Sequence, residues 1–127
     1  MKEACANERS EVLRGRTMKV PSPLGPVFVT LNENGSGRPF EIFVNIGKCG
    51  SDVAADAEAI GRLCSLVLHL PSAVSELDRL QLMIRQLSGI GGSRHVGAGN
   101  ERIRSLADAV AHALQAYLHE RSAQISK

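Results

Sequence analysis

A lysine in a glycine-rich turn is the first side chain in this sequence whose surroundings suggest anion binding. Gly47, Lys48, Gly50 and Ser51 lie between an alternating apolar run and an alanine-rich run. A helix that begins beside Ser51 would aim free backbone N–H groups and its positive dipole end at this turn. The pattern predicts a phosphate or carboxylate site. The alternative is a tight strand-to-helix turn whose lysine is merely solvated, and the spacing is not that of a Walker loop.

Three arginines form a second candidate anion site. Arg94, Arg102 and Arg104 surround a loop that contains five glycines between residues 89 and 100. Converging guanidinium groups suit phosphate recognition, so this loop could close over a nucleotide. The alternative is a basic surface loop without a ligand.

Neither a catalytic residue nor a metal site is predicted. The cysteines, Cys5, Cys49 and Cys64, are three in number and form no Cys-x-x-Cys pair, which argues against a disulfide framework and a zinc ribbon. Cys64 falls on the apolar side of a predicted helix and is expected to be buried. Cys49 lies beside Lys48, and a redox role for it stays open.

Bulk composition indicates one globular domain. The chain has 127 residues, of which 43% are hydrophobic and 22% charged. Aromatic residues make up only 3%, which argues against a base-stacking platform. A net charge of +2 is too small to imply nucleic acid by itself. The polar start and the lack of a long apolar run predict neither a signal peptide nor a membrane span, so we expect a cytoplasmic protein.

Hydrophobic periodicity predicts three strands followed by three helices. The strands are expected at 17–20, 27–31 and 39–46, where apolar and polar residues alternate. Serines at 51, 75 and 105 are expected to cap the helices, and Pro71 to end the first one. In that helix, one stripe is predicted to face the core: Val53, Ala57, Ile60, Cys64, Val67 and Leu68. Leu63 is grouped with the same amphipathic run.

These elements predict an α+β fold in two layers, a small antiparallel three-stranded meander packed against two or three helices. The expected parts are a flexible arm over 1–14, one domain over 15–121 and a frayed tail over 122–127. Glu41 should lie on the face of the third strand away from the core, where it would pair with Arg38 or Arg62 or face a partner. The open sheet edges favour a homodimer or docking onto a partner.

Residues 15–118 also resemble a known family, the TSCPD domain. The resemblance is carried by an ordered series of motifs: Gly15-Arg16-Thr17-Met18-Lys19-Val20, Gly37-Arg38-Pro39-Phe40-Glu41-Ile42-Phe43-Val44-Asn45, Gly47-Lys48-Cys49-Gly50-Ser51, Glu58-Ala59-Ile60-Gly61-Arg62-Leu63 and Ile84-Arg85-Gln86-Leu87-Ser88-Gly89-Ile90. This module is found at or near the C-terminus of adenosylcobalamin-dependent (class II) ribonucleotide reductases, and also as short separate proteins. The family often has a cysteine where this chain has Leu24.

The resemblance implies a non-catalytic accessory module that works with a separate ribonucleotide reductase catalytic chain. Adenosylcobalamin would then be held by that partner chain, and this chain would bind no cofactor. The chain is too short for the ten-stranded barrel of the reductases, so catalysis by this chain alone is not expected. Two alternatives stay open: a stand-alone regulator that binds a nucleotide or nucleic acid, and a structural dimer without a ligand.

Overall fold

Three strands precede three helices in the computed structural model, which describes residues 8–47, 51–91, 96–99 and 102–125. The elements are β1 (Arg14–Val20), β2 (Val27–Glu33), β3 (Pro39–Ile46), α1 (Asp52–His69), α2 (Glu76–Leu87) and α3 (Leu106–Ile125). The predicted α+β fold is confirmed. β1 begins earlier than predicted, at Arg14 instead of Thr17.

The sheet is an antiparallel meander in the order β1-β2-β3. Val27, the first residue of β2, pairs with Val20 of β1 and with Ile46 of β3, which fixes the register on both sides. The first turn closes where the Gly25 N–H donates to the Ser22 carbonyl at 3.0 Å. Gly25 has a φ of 118°, a conformation that glycine adopts without the steric cost of a side chain.

One face of the sheet forms the core with the helices. Val27, Val29 and Leu31 of β2 are completely buried, and each such side chain stabilises the fold by about 1.5–3 kcal/mol. The residues of α3 that meet them recur at the predicted helical spacing: Leu106, Ala109, Val110, Ala113, Leu114 and Tyr117. The predicted core stripe of this last helix is therefore confirmed, with Leu118 half-buried at its margin.

α1 runs antiparallel to β3 and covers its outer edge. The Ser65 hydroxyl accepts from the Ile42 N–H at 2.9 Å and donates to the Ile42 carbonyl at 3.0 Å. Gly61 lies so close that an added Cβ would be 3.2 Å from the Ile42 oxygen and the Val44 nitrogen. Near the helix end, His69 stacks on Phe40 with ring centroids 4.6 Å apart. The expectation that both sheet edges are unguarded is therefore wrong for β3, because backbone groups there are paired by a helix.

The predicted core stripe of α1 is partly wrong. Ala57, Cys64 and Leu68 are buried as predicted, and Val53 and Ile60 pack partly buried against the core, but Val67 is 38% exposed. Leu63, grouped with the same amphipathic run, is 63% exposed. Within the face that contacts β3, the small residues at 57 and 61 allow the helix backbone to approach the strand. An alanine-rich helix is apolar on more than one side, so periodicity identified most of the buried residues but wrongly placed Val67 among them.

Two buried polar side chains hold the helix ends. Arg79 of α2 donates to the carbonyls of Val67, Leu68 and Leu70, at 2.7–3.1 Å, and so satisfies acceptors that the end of α1 leaves free. Asp108 of α3 accepts from the backbone N–H groups of Gly89 and Arg104, at 3.0 and 2.9 Å. The segment between α2 and α3 is thereby fastened at both of its ends.

Candidate functional site

The glycine turn after β3 contributes two described residues to the predicted anion site. Gly47 is exposed with a φ of 55°, and space for a side chain is open around it. Ser51 is the N-cap of α1, as predicted, and its hydroxyl accepts from the Ala54 N–H at 3.0 Å. Lys48 and Gly50, together with Cys49, lie outside the described residues. Whether they complete an anion site stays a prediction.

Arg102 and Arg104 lie together on the segment that leads into α3. Ile103 between them is buried and pairs with Val96 in an isolated β-bridge, so the two arginines project on the opposite side of the segment from Ile103. Both are exposed, and within the described ranges neither side chain forms an ion pair. Arg94 lies outside the described residues. The structure therefore brings two of the three predicted arginines together.

The glycine turn and the arginine segment are attached to different parts of the fold. Gly47 follows the end of β3, whereas the Arg104 segment is held by Asp108 at the start of α3. Among the residues described, no hydrogen bond or ion pair joins Gly47 to Arg102 or Arg104. A shared cleft between the two groups stays a prediction.

The sheet face turned away from the helices carries a different set of chemical groups. This open sheet face is formed by Gly15, Thr17 and Lys19 of β1, Phe28, Thr30 and Asn32 of β2, and Glu41, Phe43 and Asn45 of β3. The registers align them in three cross-strand rows, and no described helix packs over them. In the middle row, the hydroxyls of Thr17 and Thr30 are hydrogen-bonded at 2.8 Å.

A buried carboxylate organises one end of the open sheet face. Glu41 accepts from Arg9 Nε at 2.9 Å, Arg9 Nη2 at 3.2 Å and Asn32 Nδ2 at 2.6 Å. Burial alone would raise the pKa of this carboxyl, but the hydrogen bonds from Arg9 and Asn32 and the charges of Arg9 and His69 outweigh it. The pKa of Glu41 is therefore lowered from 4.5. The prediction that Arg38 or Arg62 pairs with Glu41 is wrong, because these pair with Glu76 and Glu58.

Two phenylalanines and a lysine lie in the middle row and in the row at the other end of the open sheet face. Phe28 and Phe43 are 38% and 49% exposed. They are diagonal neighbours on adjacent strands, which places their Cα atoms about 7–8 Å apart. The Lys19 ammonium lies 5.9 Å from the centre of the Phe28 ring. Aromatic rings with an adjacent cation can stack on a planar group or pack against a partner protein. This part of the open sheet face therefore carries exposed groups that can contact a planar ligand or a partner protein.

The family comparison identifies what kind of module presents this face. A family model described as the TSCPD domain matches residues 2–118. The chain belongs to the TSCPD domain family. TSCPD domains are associated with ribonucleotide reductases. No curated protein and no solved structure matches the chain.

Two ionisable side chains in the described core of this TSCPD domain have raised pKa values. Burial raises the pKa of Cys64 to about 11, so the side chain stays a thiol. Burial, together with the hydrogen bond and charge of Glu33, raises the pKa of Tyr117 to about 12, although Arg121 opposes the shift. Glu33 accepts from both Tyr117 and Arg121, which ties α3 to the end of β2. These groups stabilise the domain and are not poised for nucleophilic or acid–base chemistry.

A groove lies between the last two helices of the TSCPD domain. This shallow groove between α2 and α3 has a volume of about 680 Å³ and is lined by Ile84, His112, Ala116, His119 and Ala123 among others. In the described part of the chain, no group of three or more histidine, cysteine or acidic side chains is arranged to hold a metal ion. None of its described helices is both long and apolar enough to span a bilayer.

Sequence reasoning missed the open sheet face as a unit. It separated Glu41 and Phe43 from the core side of β3, but it did not align them with Lys19, Phe28 and Asn32. The turn lengths carried this information, because they set the strand registers. Arg9 gave no usable signal, since it lies 32 residues from Glu41 in the sequence.

Proposed function

We propose that this TSCPD domain is a non-catalytic accessory module of an adenosylcobalamin-dependent ribonucleotide reductase. It would act with a separate catalytic chain that holds the cobalamin and converts ribonucleotides to deoxyribonucleotides. The observation that carries the proposal is the family match, which extends over nearly the whole chain.

In this proposal the open sheet face is the surface that contacts the catalytic chain. Phe28 and Phe43 supply exposed aromatic area, which is enriched where proteins contact each other. Thr17, Lys19 and Asn45 around them are exposed and polar. A mixed surface of this kind suits a partner that associates and dissociates, because it stays hydrated when uncovered.

A second candidate function is supported by the same rings. Exposed aromatic side chains on a small antiparallel sheet can stack on the bases of single-stranded nucleic acid or of a nucleotide. The low aromatic content argued against such a platform, but two of the chain's three phenylalanines are exposed on one face. Lys19 would add a phosphate contact beside Phe28.

The first prediction separates these functions by capture from cell extract. The tagged chain should retain a large cobalamin-dependent reductase chain after nuclease treatment, and the double variant F28A/F43A should lose it. The matched control is Leu82→Ala, because Leu82 is 46% exposed but lies on α2.

Capture that persists in F28A/F43A would remove the open sheet face from the proposal. Failure to capture a reductase present in the extract would overturn the accessory role. If the chain instead retains single-stranded nucleic acid, with binding that weakens steeply as salt rises, the second function replaces the first.

A further inference from the structure

A row of aliphatic side chains runs along α1 on the side away from the sheet. Leu63, Leu66 and Leu70 are 63%, 50% and 52% exposed, and Val67 beside them is 38% exposed. Single exposed hydrophobic residues are ordinary, but a contiguous group of this kind marks a contact surface. These side chains do not pack against the sheet, so their exposure needs a separate explanation.

The spacing of this row is that of a coiled-coil seam. Ala59, Leu63, Leu66 and Leu70 follow one another at intervals of four, three and four residues, as a and d positions do. We call these four residues the α1 seam. At 100° per residue the seam lies on the opposite side of the helix from the residues buried against the sheet. Those buried residues are Ala57, Gly61, Cys64 and Leu68.

We propose that the α1 seam is a dimer interface, in which α1 packs antiparallel against α1 of a second copy of this chain. Across the two-fold axis, Leu63 would lie opposite Leu66 of the second copy. Ala59 would lie opposite Leu70 of the second copy, so a small residue meets a large one at each end. The seam is thus complementary to itself in this orientation, as a two-fold interface must be.

Charge favours the antiparallel arrangement over a parallel one. Asp52 and Asp56 continue the seam spacing toward the start of the helix. In a parallel pair each aspartate would lie close to the same aspartate of the second copy, and the two negative charges would repel each other. In the antiparallel register, Asp56 lies beyond the C-terminal end of α1 of the second copy, because that helix ends before Pro71. Arg62, which flanks the seam, is already paired with Glu58 of its own helix at 2.8 Å.

The chemistry of the seam fits a second copy better than the partners proposed for the open sheet face. It contains no aromatic ring and no cation, which nucleic acid binding requires. It is also wholly aliphatic, whereas surfaces that associate transiently are mixed with polar groups. The inference does not depend on the proposed function, since the dimer and the capture of a reductase are measured separately.

The second prediction is tested by sedimentation equilibrium of the full chain over a range of micromolar concentrations. The wild type should be a dimer, and Leu66→Glu should weaken dimerisation on the order of tenfold or more, because it places two carboxylates in the seam. Leu82→Glu, at a similarly exposed position on α2, is the matched control and should remain a dimer. Far-UV circular dichroism should report the same helix content for all three proteins, since both sites are exposed.

Mixing two variants tests the register. Leu63→Lys and Leu66→Glu should each dimerise more weakly than the wild type when alone but should associate more tightly when mixed, because the antiparallel register brings the new lysine and glutamate opposite each other. A parallel register would not pair them. A monomeric wild type, a dimer that Leu66→Glu leaves intact, or variants that associate no more tightly when mixed would each overturn the proposal. A monomeric wild type whose reductase capture is lost in Leu66→Glu would assign the seam to the reductase instead.

Discussion

At the scale of single residues, the most consequential group is the Glu41 carboxylate. It is 5% exposed, yet it remains ionised because Arg9 and Asn32 donate to it. A carboxyl whose pKa is lowered by folding stabilises the protein above its unfolded pKa. That stabilisation is lost as the pH falls through the folded pKa. Glu41 should therefore contribute at neutral pH and stop contributing in acid.

The third prediction follows from the lowered pKa of Glu41. Glu41→Gln should lower the free energy of unfolding by on the order of 1–2 kcal/mol at pH 7, because it weakens a buried charge-assisted network. The difference from wild type should be smaller at pH 3 than at pH 7, because the carboxyl takes up its proton first in the unfolded protein and then in the folded one as the pH falls. Urea unfolding at the two pH values measures it.

The control for Glu41 is Glu58→Gln. Glu58 also pairs with an arginine, but its side chain is 65% exposed, so the loss should be small at both pH values. An equal loss from Glu41→Gln at pH 3 and pH 7 would contradict the account of its pKa.

Residue-level prediction from the sequence was limited by distance along the chain. The face of Glu41 was predicted correctly from strand alternation. Its partner was not, because Arg9 comes from a segment before β1 that carries no periodic pattern. By contrast, the Ser51 cap could be predicted, since a cap and the N–H that it accepts from are three residues apart.

At the scale of secondary structure, the contact between α1 and β3 determines how the helix is oriented. Gly61 and Ser65 bring the helix backbone against the strand, and this leaves the α1 seam on the outside. The sequence predicted where the helix begins and ends and most of the residues that it buries, but not that Gly61 and Ser65 make its closest contacts with the strand. Small and polar residues at 61 and 65 are not counted by a search for apolar periodicity, although they make the closest contacts.

The fourth prediction concerns Gly61. Gly61→Val should destabilise the protein by about 1–2 kcal/mol net, because its Cβ would press on backbone atoms of Ile42 and Val44 that cannot rotate away. The helix propensity gained by removing glycine offsets part of this cost. The urea midpoint measures the result.

Ala55→Val is the matched control, since it introduces the same side chain at an exposed position of α1. It should cost well under about 1 kcal/mol. Equal effects of the two substitutions would contradict the close approach of α1 to β3.

At the scale of the whole molecule, two surfaces on different sides of the fold divide the proposed roles. The open sheet face is mixed and aromatic, and is proposed to contact the reductase. The α1 seam is aliphatic, and is proposed to contact a second copy. The three-stranded meander and the order of elements followed from the sequence, because alternation, serine caps and prolines are local signals. The open sheet face and the α1 seam did not follow from the sequence, because each depends on which side of an element faces outward in the assembled fold.

The fifth prediction is the most direct test of the accessory role. Deoxyribonucleotide formation is measured with the purified reductase catalytic chain and adenosylcobalamin, with and without this chain. The chain alone should form no product, and its addition should raise the rate of the catalytic chain severalfold, whereas F28A/F43A should not. Identical rates with and without the chain, under conditions where the catalytic chain is active, would contradict the account.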